Sequence, residues 1–150
     1  MPNNLLQIRD GWPSAKTLAG LPGGAASWAL AQQIDRPTLV VTPTPAEATM
    51  LGDELRFHLA GQSPICVFPP DDVRPYDGLS PHPDLIRARL HALMVLQAGT
   101  PCVVLTSARG LLHKVLAPNA FASLIQTLRP GEEHSRDELV HGWIKGGYHA

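Results

Sequence analysis

The sequence is poor in the features that mark secreted and membrane-bound proteins. It has only two cysteines in 150 residues, and they have neither a paired nor a metal-binding spacing. No apolar run approaches the roughly 20 residues that a membrane-spanning helix needs. The amino terminus lacks the basic and apolar regions of a secretion signal. We therefore expect a cytoplasmic protein with reduced thiols and no membrane partner.

An excess of charge of one sign is missing as well. The chain has 12 basic and 13 acidic residues, which gives a formal net charge of -1. Proteins that bind nucleic acid on their own usually show a basic excess or a basic stripe. The histidines are scattered without the spacing of a metal site, so neither a metal site nor a catalytic residue is predicted. Hydrophobic residues make up 44% of the chain, which is typical of a globular protein with a core.

Short apolar runs alternate with amphipathic stretches, which is the order typical of a parallel α/β sheet. Strands are predicted over residues 17–20, 37–42, 64–68 and 102–107. Helices are predicted over residues 25–34, 45–60, 83–98 and 108–116. Beyond residue 118, the pattern predicts another strand over 121–129 and a helix after Ser135. Thr44 with Glu47, and Ser135 with Glu138, have the spacing of capping boxes.

Residues 20–27 read G-L-P-G-G-A-A-S, which has the outline of a phosphate-binding loop, G-x-x-x-x-G-K-[ST]. Gly20 and Ser27 stand at the first and last positions. Ala25 replaces the second glycine, and Ala26 replaces the lysine that neutralises phosphate charge. The loop is thus predicted to be a vestigial nucleotide site, which implies a role in macromolecular contacts.

Two other interpretations of this loop stay open. Such a stretch can be an ordinary turn before a helix. Alternatively, backbone N–H groups at the helix start can hold an anion without a lysine. The chain would then be a small nucleotide-dependent enzyme, with Ser27 as the candidate magnesium ligand.

A long loop over residues 69–83 contains five prolines, which stiffen the backbone and disfavour regular structure. Long irregular loops inside a compact domain are often functional. A rigid connector is the other interpretation of this segment.

Several segments, in this order and spacing, resemble the amino-terminal, UvrB-like module of the bacterial transcription-repair coupling factor family (Mfd). They read P-T-L-V-V-T-P-T-P-A-E-A, P-Y-D-G-L-S-P-H-P-D-L-I-R-A-R-L and V-V-L-T-S-A-R-G-L-L-H-K-V. The second is the most specific, and S-R-D-E-L-V-x-x-W-I-K-G-G-Y agrees near the end. The resemblance covers nearly the whole chain. It implies a RecA-like, P-loop-derived parallel sheet, followed by the start of a second small α/β domain.

The resemblance also implies a function that belongs to a longer parent protein. Members of the family are ATP-dependent DNA translocases that displace RNA polymerase stalled at a lesion and recruit UvrA for nucleotide excision repair. ATP and magnesium would act in distant motor domains, so no cofactor is expected for this chain. Residues 1–118 would be the degenerate RecA-like domain, and residues 119–150 the truncated beginning of the UvrA-binding domain.

Residues on and beside the proline-rich loop are the candidates for an interaction surface: Arg74, Tyr76, Asp77, Arg87 and Arg89. In the main interpretation this surface contacts proteins or downstream domains of the parent. The alternative is a UvrB-like DNA-binding domain that uses the arginines and the tyrosine. UvrB holds DNA with an inserted hairpin, and residues 76–84 leave no room for one.

Overall fold

Three apolar runs form a parallel sheet in the computed structural model, which describes residues 19–73, 78, 80–112 and 114–148. The strands are β1 (Pro37–Thr42), β2 (Ile65–Phe68) and β3 (Cys102–Ser107). The order across the sheet is β1-β3-β2, and every residue of the central strand β3 is buried. An unbroken apolar run is what a central parallel strand requires, because helices cover both of its faces. These three predicted strands are confirmed.

Three helices belong to the same part of the chain as the sheet, and the second of them begins at the capping box that the sequence indicates. Helix α1 spans Ala25–Ala31, α2 spans Pro45–Leu59 and α3 spans Pro83–Gln97. At the start of α2, the Thr44 hydroxyl accepts the N–H of Glu47 at 3.2 Å and donates to its carboxylate at 2.8 Å. The reciprocal contact satisfies a backbone donor that would otherwise be unpaired at the helix end.

The topology places the helices on both faces of the sheet. The chain crosses from β1 over β3 to β2, then returns to β3. Right-handed crossovers in opposite directions put their helices on opposite faces. Accordingly, Leu55 and Leu59 of α2 pack with Val103 and Leu105. On the other face, Ala92 of α3 packs with Cys66, Phe68 and Val104. The fold is therefore α/β with a helix-flanked parallel sheet, as predicted, and it is consistent with the RecA-like class.

Two predictions for this part of the chain, the helix over 108–116 and the strand over 17–20, are not confirmed. Instead of a helix over 108–116, a 3-10 turn forms at Gly110–Leu112. Glycine lowers the helix propensity of this segment, and Gly110 packs where an added Cβ would collide with the Thr106 side chain. The strand predicted at 17–20 falls largely outside the described residues. Its last two residues, Ala19 and Gly20, have no regular structure.

The chain divides into two compact units, residues 1–113 and 114–150. In the second unit, helix α4 spans Pro118–Ala122 and helix α5 spans Arg136–Lys145. The strand predicted over 121–129 is wrong: residues 121 and 122 belong to α4, and residues 125–129 lack regular structure. Proline at the first helical position, followed by alanines, favours this helix start. The assignment of roles to residues 1–118 and 119–150 stays a prediction.

In the part of the chain that the structure describes, no helix is long and apolar enough to cross a membrane.

Candidate functional site: the glycine-rich loop and the carboxyl edge of the sheet

The glycine-rich loop turns sharply into α1. Gly20 and Gly23 have φ angles of 74° and 51°, in the left-handed region that glycine enters without strain. The first turn closes when the N–H of Trp28 donates to the Gly24 carbonyl at 3.0 Å. The predicted placement of this loop directly before a helix is confirmed, although α1 has only seven residues.

Ser27 does not project from the loop. Its side chain is completely buried, and its hydroxyl donates to the Gly24 carbonyl at 2.8 Å. A magnesium ligand must instead direct an oxygen lone pair into open space beside the phosphates. The geometry therefore gives Ser27 a structural role: it ties the end of the loop to the first turn of the helix.

The two alanines leave the loop without the lysine of a working phosphate site. Ala26 is exposed and Ala25 half-buried, and neither methyl group can neutralise a phosphate. His58 of α2 does approach the loop: a Cβ placed on Gly24 would lie 4.0 Å from its Nε2. Sequence reasoning missed this neighbour, because only the packing of α2 beside α1 brings residue 58 there.

Ligands of open parallel α/β sheets bind outside the carboxyl ends of the strands, and here hydrogen bonds within the chain occupy that edge. The Thr106 hydroxyl donates to the Phe68 carbonyl at 2.8 Å, which joins β3 to the end of β2. The Thr42 hydroxyl lies 2.8 Å from the Thr44 carbonyl and 3.3 Å from that of Thr106. Both threonine side chains are buried. No described buried side-chain polar atom lacks a hydrogen-bond partner, so both threonine hydroxyls are already engaged within the chain.

The proline-rich loop is pinned to the helix that follows it. Arg89 pairs with Asp71, and their side chains are only 16% and 19% exposed. The same guanidinium lies 4.9 Å from the centre of the Phe68 ring, within the range of a cation–π contact. At the other end, the His82 N–H donates to the Asp72 carboxylate at 3.3 Å. The loop is thus anchored at both ends.

The predicted interaction residues differ in what surrounds them. Arg89 is engaged in the anchor just described. Arg87 is 79% exposed and pairs with Asp84 at 3.0 Å, one turn earlier on the same helix. Arg74, Tyr76 and Asp77 lie outside the described residues. The structure therefore separates a half-buried arginine that holds the fold from an exposed one that is open to a partner.

The two cysteines lie within the helix-covered sheet. Burial raises the pKa of both thiols above the ordinary value of 9.0, so they are uncharged near neutrality and weakly nucleophilic. The Cys66 sulfur lies 3.6 Å from Nδ1 of His91. Across the described residues, no group of three or more histidine, cysteine or acidic side chains could hold a metal ion.

The second unit has a shallow cleft of about 310 Å³ beside the start of α5. Polar and acidic side chains dominate its lining, with His134 and Glu138 among them. Sequence reasoning did not find this cleft, because it forms between the irregular segment 126–134 and the helix.

Comparison with known proteins agrees with the expected resemblance. The Myxococcus xanthus transcription-repair-coupling factor is 33% identical over 139 residues, which is 86% of this chain. The chain is a relative of the transcription-repair-coupling factors. The Haemophilus influenzae factor is 29% identical over 90% of the chain, and the Mycobacterium bovis factor 33% identical over 96%.

The match is partial from the relatives' side. This chain spans about 12% of the length of each of these three factors. No family model matches the chain.

Proposed function

We propose that this chain is a non-catalytic interaction module of a transcription-repair-coupling factor. In the proposed parent protein, other domains hydrolyse ATP and move on DNA. The parent protein displaces RNA polymerase at lesions and recruits UvrA. The module contributes contacts with downstream domains and partner proteins, through surfaces that include Arg87. Similarity to the named factors over nearly the whole chain supports the parent function.

The observation that carries the non-catalytic role is the state of Ser27. Its hydroxyl is buried and donates to the Gly24 carbonyl at 2.8 Å, so in this geometry its oxygen is not presented to a magnesium ion outside the loop. The alanines at positions 25 and 26 remove the phosphate-binding glycine and lysine. The hydrogen-bonded carboxyl edge of the sheet supports the same conclusion.

Isothermal titration of the purified chain with ATP and ADP, with and without magnesium, tests the proposal. We expect no binding at cellular nucleotide concentrations. Micromolar, magnesium-dependent binding would reject the non-catalytic role.

The Ser27→Ala variant is the matched control for this titration. If the hydroxyl is only structural, the variant loses stability but its nucleotide heats stay at the baseline. If weak nucleotide binding is present and disappears in Ser27→Ala, the serine is a ligand, and the nucleotide-dependent enzyme becomes the better interpretation. Turnover assays on the same sample then decide whether the bound nucleotide is hydrolysed.

A further inference from the structure

The solvent face of α2 carries two large apolar side chains at its centre. Ala48, Leu55 and Leu59 of this helix are buried, so the opposite side faces solvent. Met50 and Phe57 lie on that opposite side and are 64% and 80% exposed. They are seven residues apart, which is two helical turns, so both side chains lie along one line of the helix surface.

The spacing around these two side chains is that of a coiled-coil helix. Four exposed residues of α2 follow one another at intervals of four, three and four: Ala46, Met50, Asp53 and Phe57. This spacing is that of the a and d positions of a heptad repeat, which form the line that a partner helix covers. We call these four residues the α2 seam. The helix has 15 residues, so the seam extends along nearly its whole length.

The charges on the two sides of the α2 seam are unequal. Glu47 and Glu54 each follow a d position, so their carboxylates lie on the same side of the seam. Both are exposed, and neither forms an ion pair with another described residue. On the other side, Arg56 donates to Asp53 at 2.6 Å, which offsets the one charge within the seam. The surface therefore has an apolar line with a negative row along one side.

We propose that the α2 seam is a docking surface for an amphipathic helix of another protein. That helix carries apolar residues in heptad spacing and presents lysine or arginine to Glu47 and Glu54. An apolar centre with a polar rim is the layout of protein interfaces, and an exposed aromatic such as Phe57 is a common binding hot spot. Charges beside an apolar heptad line determine the choice and orientation of the partner helix.

The negative row disfavours other occupants of the α2 seam. The phosphates of nucleic acid and the anionic lipids of a membrane surface would be repelled by Glu47 and Glu54. A second copy of this chain also fits poorly. In an antiparallel pair of α2 helices the two glutamate rows would face each other, and in a parallel pair Asp53 would face Asp53.

The proposal rests on the interaction role proposed above, for which it names a surface and a class of partner. It involves no residue of the glycine-rich loop.

Fluorescence anisotropy with two synthetic helical peptides tests the proposal on the 150-residue chain. Each peptide has about three heptads, which is long enough for an isolated helix to form, with leucine at the a and d positions. One peptide carries lysine at the flanking e and g positions, and the other carries glutamate there. Like charges along each peptide keep it from pairing with itself.

We expect the lysine peptide to bind at least about tenfold more tightly than the glutamate peptide at low salt, with a smaller difference at high salt because salt screens exposed charges. Phe57→Ala should weaken binding of the lysine peptide by about tenfold or more, as for the loss of a central aromatic anchor. Glu54→Lys should weaken binding of the lysine peptide and strengthen that of the glutamate peptide.

Two exposed residues outside α2 provide matched controls. Leu112 is 82% exposed, so Leu112→Ala removes an apolar side chain as accessible as Phe57. Glu133 is an exposed residue of the second unit, and Glu133→Lys makes the same charge change as Glu54→Lys. Neither control should change peptide affinity by more than about twofold, as for residues outside an interface. Circular dichroism checks that all four variants are folded.

Equal affinity for the two peptides would overturn the proposal, as would equal losses in Phe57→Ala and Leu112→Ala. A dimer of the chain that Phe57→Ala dissociates would assign the α2 seam to a second copy instead. Failure of the lysine peptide to bind the longer polypeptide from the same reading frame would assign the seam to an internal contact. None of these measurements involves nucleotide, so their failure is distinct from a failure of the proposed function, which nucleotide binding would reveal.

Discussion

At the scale of single residues, the polar and small side chains near the carboxyl edge hold the backbone together. Ser27 binds a carbonyl of its own helical turn, and Thr106 binds the carbonyl at the end of β2. Gly110 fits against this pair: a Cβ on it would collide with Oγ1 of Thr106 and lie 3.3 Å from the Phe68 carbonyl oxygen. These contacts leave no room for a side chain at position 110, which explains the glycine within the segment 108–116.

Gly110→Ala should therefore destabilise the protein. The added methyl group must displace the Thr106 hydroxyl from its 2.8 Å contact with Phe68, which costs about 1–3 kcal/mol for an overpacked, buried site. Urea unfolding followed by circular dichroism measures the change.

Gly52→Ala is the control for this prediction. A Cβ at that position makes only ordinary contacts, the closest at 3.6 Å, and alanine raises helix propensity by up to about 1 kcal/mol. We expect no loss of stability there. Equal losses for both variants would show that the contact with Thr106 is not the cause.

At the scale of elements, α3 joins the proline-rich loop to the sheet. Arg89 contacts Asp71 of the loop and the Phe68 ring of β2, whereas Arg87 forms a pair within the exposed surface of the helix. Both arginines belong to the interaction surface predicted from the sequence. Their environments give them different expected roles.

Arg89→Ala should lower the free energy of unfolding by about 1–3 kcal/mol, because a half-buried ion pair and a cation–π contact are lost together. Arg87→Ala should change it by less than about 0.5 kcal/mol, as is usual for exposed pairs. Chemical denaturation of the two variants in parallel checks both values.

The same two variants address the DNA-binding alternative. If short duplexes bind in a salt-dependent manner and Arg87→Ala weakens that binding without loss of stability, the DNA-binding interpretation regains support. If the affinity for short duplexes is negligible and neither variant changes it, contacts with proteins remain the better account of this surface.

At the scale of the whole molecule, the two compact units differ in how many apolar side chains they bury. Residues 19–112 contain two apolar clusters, one on each face of the sheet. Among the residues of 114–148 whose burial the structure describes, Phe121 alone is buried. Val140, Trp143 and Ile144 of α5 are exposed. Burial of apolar area is the main source of stability, so the second unit should open more readily.

Hydrogen exchange followed by mass spectrometry checks this difference. Amides of α5 should exchange at least about 100-fold faster than those of β3, because segments with little buried area open at low free energy. The matched comparison is α2, which is also helical but packs on the sheet. Equal protection of α5 and α2 would contradict the prediction.

Much of the fold could be predicted because local patterns determine it. The apolar runs at β1, β2 and β3 need burial, and Thr44 with Glu47 marks a helix start by its own chemistry. The helix predicted over 108–116 and the strand predicted over 121–129 were wrong, so the apolar pattern alone does not determine the structure of these two segments. Gly110 lowers the helix propensity of the first segment, and the helix that begins at Pro118 extends into the second segment as far as Ala122.

The sequence by itself determined the parallel α/β class and the absence of a lysine at position 26 of the glycine-rich loop, since both depend on residue types and spacing. The tertiary structure alone decided that the Ser27 hydroxyl points inward and that Arg89 anchors a loop. Those properties depend on which neighbours the topology brings together. Periodicity along a single segment cannot specify them.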